Sequence, residues 1–296
     1  MPTPQPGIFA LGTRSHHYLE LDLVAGANPS GVLDAIAGLR EPRTTTGGAN
    51  IVIGLAAALW RACDPGGVPG GAAGLEAVRG VEGFEMPATQ HDVWVWIAGG
   101  SIDVVFDVAR AVAVTLRPVL SLSTEQPGFT YRDSRDLTGF EDGTENPPLD
   151  EAPEVAIVAD GCPGAGSSIA IFQKWVHDLG AFHELSLQDQ EAVFGRTKAD
   201  SVELDDTVRP ASAHISRVQI TDGDDELEIF RRSTTFGSLQ EHGLMFVGFS
   251  ADPGRFDRML ARMAGADDGV RDRLTHFSTP VSGAYYVVPP VEALRR

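Results

Sequence analysis

Hydrophobic and polar positions fall into two successive blocks of predicted elements, separated by a long polar stretch. In the first block, residues 18–23 alternate with the two-residue period of a half-buried strand, and residues 93–97 are β-branched or aromatic. The predicted order is strand 18–23, helix 32–37, a buried run 51–60 that begins as a strand and ends as a helix, strand 93–97, helix 103–116 capped by Ser101, and a strand near 119–122. This is the order of the split βαβ, or ferredoxin-like, motif.

The second block loosely repeats this order, without a visible sequence repeat. It predicts strands at 168–172, 215–220, 227–231, 244–249 and 285–288, with a helix from the cap Ser186 to 193. A second helix over 256–263 places Phe256, Met259, Leu260 and Met263 on one face. We expect an α+β fold of two tandem ferredoxin-like domains with antiparallel sheets, resembling a dimeric α+β barrel. The domains would span 1–125 and 167–296, joined by a linker and loop at 126–166; a single larger α+β domain is the alternative.

Composition and charge narrow the function. The 296 residues carry a formal charge of −18, and such a surface repels nucleic acid and anionic membranes. The chain has no apolar run of about twenty residues, and its start has neither a basic nor an apolar signal region. The two cysteines, Cys63 and Cys162, suggest unpaired buried thiols in a reducing compartment, although one disulfide is arithmetically open. We therefore expect a soluble cytoplasmic protein.

The polar stretch contains a candidate functional loop over residues 135–147. Gly139 and Gly143 lie on either side of Asp142, and glycines allow positive φ or a close approach to a flat ligand. Asp142 would then be presented from a fixed position, and Asn146 with Pro147 would close a turn. A plain Asp-Gly turn on the surface is the alternative interpretation.

Two further segments of the second block carry candidate chemistry. His214 stands at the mouth of the predicted strand 215–220, where a hydrogen-bonded structural histidine is the alternative to a metal ligand. Arg231 and Arg232 end another strand and would point to opposite faces, so only one can face a pocket; charge balance is the alternative there. The chain contains no HExxH, P-loop or GxSxG motif, which gives zinc hydrolase, nucleotide-binding and serine hydrolase functions no support.

Taken together, these segments resemble the dye-decolourising peroxidases, in particular the short bacterial B-type members. The segment 139–147 is similar to the GxxDG motif of that family, 214–218 to its proximal-histidine strand and 229–233 to its distal-arginine strand. Residues 188–198 and 283–289 resemble a helix exit and the closing strand. The segments occur in the family's order from about residue 5 to residue 293, which makes the match more specific than any single motif.

The resemblance implies one non-covalent haem b per chain, bound by the domain at 167–296. His214 matches the histidine that ligates the haem iron on the proximal side. Asp272 matches a carboxylate that hydrogen-bonds the other imidazole nitrogen and strengthens the ligand. Arg196 matches a contact to a haem propionate.

On the distal side, the resemblance assigns catalytic positions to Asp142, Arg231 and Ser233, which follows the arginine by two residues. An ionised Asp142 would move a proton between the peroxide oxygens, while Arg231 would stabilise negative charge and lower the pKa of Asp142. The implied activity is reduction of hydrogen peroxide through a ferryl intermediate, with oxidation of dyes, phenolics or similar small-molecule electron donors. A homo-oligomer is expected on resemblance alone.

Two other functions remain open at this point. The first is a haem-handling, deferrochelatase-like protein of the same fold, and the second is a non-catalytic ferredoxin-like binding module that holds no haem. A Soret band that shifts on addition of peroxide distinguishes the peroxidase from the binding module. Packaging in an encapsulin shell is doubtful, because the predicted last strand is followed by only a short segment.

Overall fold

The computed structural model describes residues 2–39, 48–223 and 225–295, and the bounds below refer to this part of the chain. Its strands are β1 Ser15–Leu23, β2 Ala49–Leu55, β3 Val78–Arg79, β4 Glu85–Met86, β5 Val93–Gly99, β6 Leu120–Phe129, β7 Ser168–His177, β8 Thr221–Asp222, β9 Asp225–Glu226, β10 Phe230–Arg231, β11 Thr234–Gly237, β12 His242–Ser250, β13 Ser278–Pro280 and β14 Ala284–Val288. Its helices are α1 Pro29–Ala37, α2 Ala57–Cys63, α3 Ile102–Leu116, α4 Ala152–Ala156, α5 Leu179–Glu184, α6 Leu187–Phe194, α7 His214–Val218 and α8 Gly254–Ala264.

One antiparallel sheet contains ten of these strands in the order β10-β12-β11-β6-β1-β5-β2-β14-β7-β13. An additional pairing of β7 with β12 closes eight of them into a barrel, with β10 and β13 at the margins. The ferredoxin-like order predicted for the first block is confirmed by β1-α1-β2-β5-α3-β6. The second block follows the same plan with β7, β11, β12, α8 and β14, which confirms the expected α+β barrel-like fold.

Two seams join the blocks within the barrel. In one seam β6 pairs with β11, and in the other β14 pairs with β2. Strands from both sides of the predicted linker therefore share one hydrogen-bonded ring, and the division into domains at 125 and 166 stays a prediction.

The two faces of the barrel have different cores. The interior is aromatic, because alternate residues of the strands turn large rings inward, among them Tyr18, Trp94, Trp96, Phe172 and Tyr286. The outer face packs against α1, α2, α3 and α8 in a second, mainly aliphatic core. The candidate site described below lies on this outer side, beside α8.

Several predicted elements have different bounds in the structure. The strand predicted near 119–122 is β6, which runs to Phe129 although most of its side chains are exposed. Main-chain pairing with β1 on one side and β11 on the other keeps this polar segment extended. The strand predicted at 227–231 is reduced to the two residues of β10.

The two cysteines are free, as expected, but they are not both buried. Cys63 is partly buried, whereas Cys162 is exposed in the loop before β7, so the prediction of two buried thiols is wrong. Glycine and proline dominate that loop, which leaves the thiol without a core to enter. In the part of the chain described, no helix combines the length and the apolar character needed to cross a membrane.

Candidate functional site

A large cavity lies between the outer face of the barrel and α8, with about 1460 Å³ of empty space including its open mouth. Four alternate residues of β7 line one wall: Ile171, Gln173, Trp175 and His177. The opposite wall contains the four residues predicted to share one face of α8, namely Phe256, Met259, Leu260 and Met263. Because both walls are largely apolar, the cavity suits a flat, mostly apolar ligand.

His214 lies in this cavity, but it does not stand on a strand. It is the first residue of the five-residue helix α7, so the strand predicted at 215–220 is wrong. Ile215 and Val218 are three residues apart and both line the cavity, a spacing that fits one face of a helix. A helix of little more than one turn contains only one such pair, which is not enough to distinguish a helical period from that of an apolar strand.

A buried carboxylate orients the imidazole of His214. Its Nδ1 lies 2.7 Å from Oδ2 of Asp272, which is fully buried. Oδ1 of Asp272 accepts a second hydrogen bond from the main-chain N–H of Leu274 at 2.9 Å. Since the carboxylate only accepts, Nδ1 carries the proton, and the lone pair at Nε2 is left available towards the cavity.

The short helix α7 is held from two sides. Arg217 is buried and donates to the carbonyl of Arg262 at 2.9 and 3.1 Å and to Asp268 at 2.7 Å, which fixes α7 against α8. On the other side, α6 ends at Gly195 with φ +81°. A Cβ there would lie 2.5 Å from Cγ2 of Ile215, so only glycine allows α6 to approach α7 this closely.

Asp142 faces the same cavity from the glycine-containing loop. Gly139 and Gly143 have φ values of +90° and +81°, which confirms the positive φ expected on both sides of the aspartate. The main-chain N–H of Asp142 donates to the carbonyl of Ser134 at 3.1 Å, so the loop holds the carboxylate in place. The carboxylate is thus presented from a fixed position, as the sequence predicted.

Electrostatics at Asp142 differ from the expectation. Burial raises the pKa of Asp142 above its ordinary value, and the positive charge of Arg231 acts in the opposite direction without overcoming it. The negative charge of Asp136 adds to the upward shift in the pKa of Asp142. Arg231 therefore acts to lower the pKa of Asp142, as predicted, but the opposite effect of burial is larger.

The adjacent arginines divide between two environments, as predicted. Arg231 lines the cavity. Arg232 points the other way, where it donates to the carbonyls of Ile8 and Ala10 at 2.6 Å each and lies 5.0 Å from the ring centre of Trp96. Of these two arginines, only Arg231 can therefore act on a ligand in the cavity.

The remaining two predicted site residues are Arg196 and Ser233. Arg196 lines the cavity, but its guanidinium already pairs with Glu145 and with Glu203. Ser233 is absent from the cavity wall, and its buried hydroxyl has no hydrogen-bond partner among the described residues.

A buried pair in the cavity wall was missed by the sequence analysis. His177 Nε2 lies 3.0 Å from Oδ1 of Asp136, whose other oxygen accepts from the main-chain and side-chain donors of Thr138. Burial tends to raise the pKa of Asp136, but the charge and hydrogen bond of His177, with the bonds from Thr138, hold it below its ordinary value. The alternation of Gln173, Trp175 and His177 along β7 was the available signal, because it places polar and aromatic side chains on one face.

The site thus combines an imidazole with a free nitrogen, an apolar slot, and a carboxylate beside a guanidinium. The imidazole can ligate a metal within a flat macrocycle, while the carboxylate and guanidinium can move a proton and stabilise negative charge. Asp142, Arg231 and His214 all line this one cavity.

The comparisons with known proteins agree with this arrangement. Residues 133–293 match the family model described as "Dyp-type peroxidase, C-terminal". A dye-decolorizing peroxidase of Mycolicibacterium paratuberculosis is 42% identical over 70% of this chain and 60% of its own length. One of Rhodococcus erythropolis is 34% identical over 89% of this chain and 79% of its own length. The chain spans 60% and 64% of the lengths of the two mycobacterial relatives that it matches.

Solved structures extend the similarity to the whole fold. A variant of DypB from Rhodococcus jostii in complex with heme has a TM-score of 0.92 at 33% identity, covering 99% of this chain and 98% of that one. A putative dyp-type peroxidase from Shewanella oneidensis has a TM-score of 0.92 at 32% identity, covering 100% of this chain and 98% of that one. At such identities, the likeness concerns sequence as well as fold.

Proposed function

Since this chain belongs to the Dyp-type peroxidase family, we propose that it is a haem peroxidase that reduces hydrogen peroxide and oxidises dyes, phenolics or similar one-electron donors. The observation that carries the proposal is the single cavity that combines the His214–Asp272 pair with Asp142 and Arg231. The neighbour from Rhodococcus jostii in complex with heme supports the choice of cofactor.

The residues of the cavity fit haem b. His214 would ligate the iron through Nε2, since Nδ1 is engaged by Asp272. The apolar side chains of α8 would cover the macrocycle, opposite the largely apolar wall formed by β7. When bound, the haem supplies the redox chemistry that links two-electron reduction of peroxide to one-electron oxidation of donors.

Asp142 and Arg231 would act on peroxide in the space beside them. The carboxylate of Asp142 takes a proton from one peroxide oxygen and returns it to the other, which leaves as water. The guanidinium of Arg231 is always charged and stabilises the negative charge that develops as the O–O bond breaks. Because burial raises the pKa of Asp142, the carboxylate is a stronger base than an exposed aspartate.

Roles are also proposed for the two remaining predicted residues. Arg196 would bind a haem propionate at the cavity wall, where the propionate would compete with Glu145 and Glu203 for the guanidinium. Ser233 would assist the distal side from two residues beyond Arg231, and its unpaired hydroxyl is free to accept or donate one hydrogen bond.

We propose a cytoplasmic homo-oligomer. The two free cysteines are compatible with a reducing compartment. Ile102 and Phe106 are exposed one turn apart on α3 and offer an apolar surface to a second copy. Light scattering on the purified protein, with Phe106→Glu as the variant, tests the oligomer; a monomeric wild type would refute it.

Absorption spectroscopy of haem-loaded protein tests the main proposal. We expect a Soret band that changes rapidly with hydrogen peroxide and returns to its starting form as a dye or phenol is consumed. Asp142→Asn and Arg231→Leu should slow this change while leaving the haem bound, and His214→Ala should abolish the native haem spectrum. Unchanged peroxide rates in both distal variants would contradict the assignment. Iron release without donor oxidation would indicate haem handling, and the lack of a Soret band would indicate a binding module.

A further inference from the structure

The side-chain amide of Asn146 is bonded to the main chain of Arg231, 85 residues further along the chain. Its Nδ2 donates to the carbonyl of Arg231 at 2.9 Å, and its Oδ1 accepts from the N–H of Arg231 at 2.8 Å. The two bonds run in opposite directions between the same two residues. Only a primary amide offers a donor and an acceptor with this spacing, since a carboxylate lacks the donor and a hydroxyl has a single oxygen.

These two hydrogen bonds form at a free edge of the barrel sheet. Arg231 ends the two-residue strand β10, which pairs with β12 on one side only. The neighbouring Arg232 donates its N–H to Val247 of β12, so the N–H and C=O of Arg231 point away from the sheet. Asn146 therefore satisfies the groups that another strand would otherwise have bonded.

The same residue also ends the loop that carries Asp142. The N–H of Asn146 donates to the carbonyl of Gly143 at 3.1 Å, which closes the turn directly after Asp142. A Cβ on Gly143 would lie 3.2 Å from Nδ2 of Asn146, so the glycine leaves room for the amide. One side chain thus connects the loop of the proposed proton carrier to the main chain of the proposed charge stabiliser.

We infer that Asn146 is a positioning residue that fixes Asp142 and Arg231 relative to each other by bonding the backbone of the arginine. This inference rests on the proposed function, because the spacing of the two groups matters only if they act on one ligand. A displacement of about 1 Å at a reacting group can cost about 100-fold in rate. Without the amide, the N–H and C=O of Arg231 lose their hydrogen bonds, and the guanidinium moves with the main chain.

Two variants test the inference on the haem-loaded protein. Asn146→Ala removes both bonds, and Asn146→Asp keeps the shape but replaces the donor with an oxygen that faces the carbonyl of Arg231. We expect both to lower the second-order rate with peroxide by about 10- to 100-fold. The affinity of the ferric protein for cyanide, which needs no turnover, should fall as well, because the guanidinium no longer faces the bound anion. Haem affinity should stay within about twofold of wild type.

Asn28→Ala is the matched control. Asn28 caps α1 by accepting from Ser30 at 3.1 Å and does not belong to the cavity wall. This variant should lose some stability to urea and keep the wild-type peroxide rate and cyanide affinity. A loss of the peroxide rate in Asn28→Ala equal to that in Asn146→Ala would mean that the effect is one of general stability, and would overturn the inference.

A double-mutant cycle separates positioning from other roles. If Asn146 acts through Arg231, then Asn146→Ala should cost little further rate in an Arg231→Leu background. Fully additive losses, or wild-type rates in both single variants, would overturn the inference. If Asn146→Ala fails to fold, Asn146→Asp takes its place in the cycle with the same criteria. A wild-type protein that binds haem and does not react with peroxide would instead refute the proposed function.

Discussion

Replacing Asp272 with asparagine should place the proton of His214 on the wrong nitrogen. In the native site, Oδ2 of Asp272 accepts from Nδ1 of His214 at 2.7 Å, and Oδ1 accepts from Leu274 N–H at 2.9 Å. An asparagine that keeps its oxygen on Leu274 turns its NH₂ group towards Nδ1. The imidazole can then accept that bond only by moving its own proton to Nε2, and a protonated Nε2 cannot ligate iron.

The size of the effect follows from the bond that is lost. A hydrogen bond to a charged group contributes about 1.5–3 kcal/mol, and about 1.4 kcal/mol corresponds to a tenfold change in affinity. Asp272→Asn should therefore weaken haem binding by about 10- to 100-fold, the range known for partners of metal ligands. Asp272→Ala also loses the cap on Leu274, which should lower the free energy of unfolding of the haem-free protein by about 1 kcal/mol.

Two measurements check this prediction: titration of the haem-free protein with haem at the Soret band, and urea unfolding of the haem-free protein. Asp178→Asn is the control, because Asp178 caps α5 through Ala181 at 3.0 Å and lies outside the cavity wall. Because asparagine keeps the oxygen that accepts from Ala181, this variant should leave both stability and haem affinity close to those of the wild type. If Asp272→Asn binds haem within twofold of wild type, the proposed role of this carboxylate is wrong.

Three further predictions follow from the site. Burial raises the pKa of Asp142, and the proton carrier must be ionised. The rate of reaction with peroxide should therefore fall on acidification at a pH above the ordinary aspartate pKa of about 3.9. A fall in rate that occurs only at or below that pH would contradict this prediction. Gly195→Ala should lower the free energy of unfolding by more than about 1 kcal/mol, because φ is +81° there and the new Cβ would lie 2.5 Å from Cγ2 of Ile215. Gly26→Ala is the control, since φ is +84° but the space around it is open, so only the backbone strain remains. Equal urea midpoints for the two variants would contradict the steric argument. Arg217→Ala should lower the free energy of unfolding in urea by about 2 kcal/mol and weaken haem binding, because α7 loses its hydrogen bonds to α8. A loss of stability with full haem affinity would show that α7 is held by other contacts.

The sequence was most informative where a period persists over several turns or along a whole strand. Phe256, Met259, Leu260 and Met263 repeat with the helical period and do line the cavity together. The alternation of β1 and the aromatic run of β5 likewise predicted strands that the barrel contains. These patterns are strong because each records burial against one continuous surface.

Short elements and distant contacts were beyond the reach of such patterns. The helix at His214 has five residues, and it is held by Arg217 and by the close approach of Gly195 rather than by its own propensity. The bond between Asn146 and Arg231 joins positions 85 apart and leaves no local signal. The pKa of Asp142 also depended on burial in a cavity that the linear sequence does not reveal.

The two seams of the barrel limit how this protein can evolve. Since β6 is bonded to β11 and β14 to β2, neither half has a complete set of neighbours alone. A stretch of chain limited to the half that carries the cavity would leave two strand edges exposed, and such edges readily pair with other copies. Duplication, truncation or exchange of one half is therefore constrained by the other, even though His214, Arg231 and Asp272 all lie in the second block.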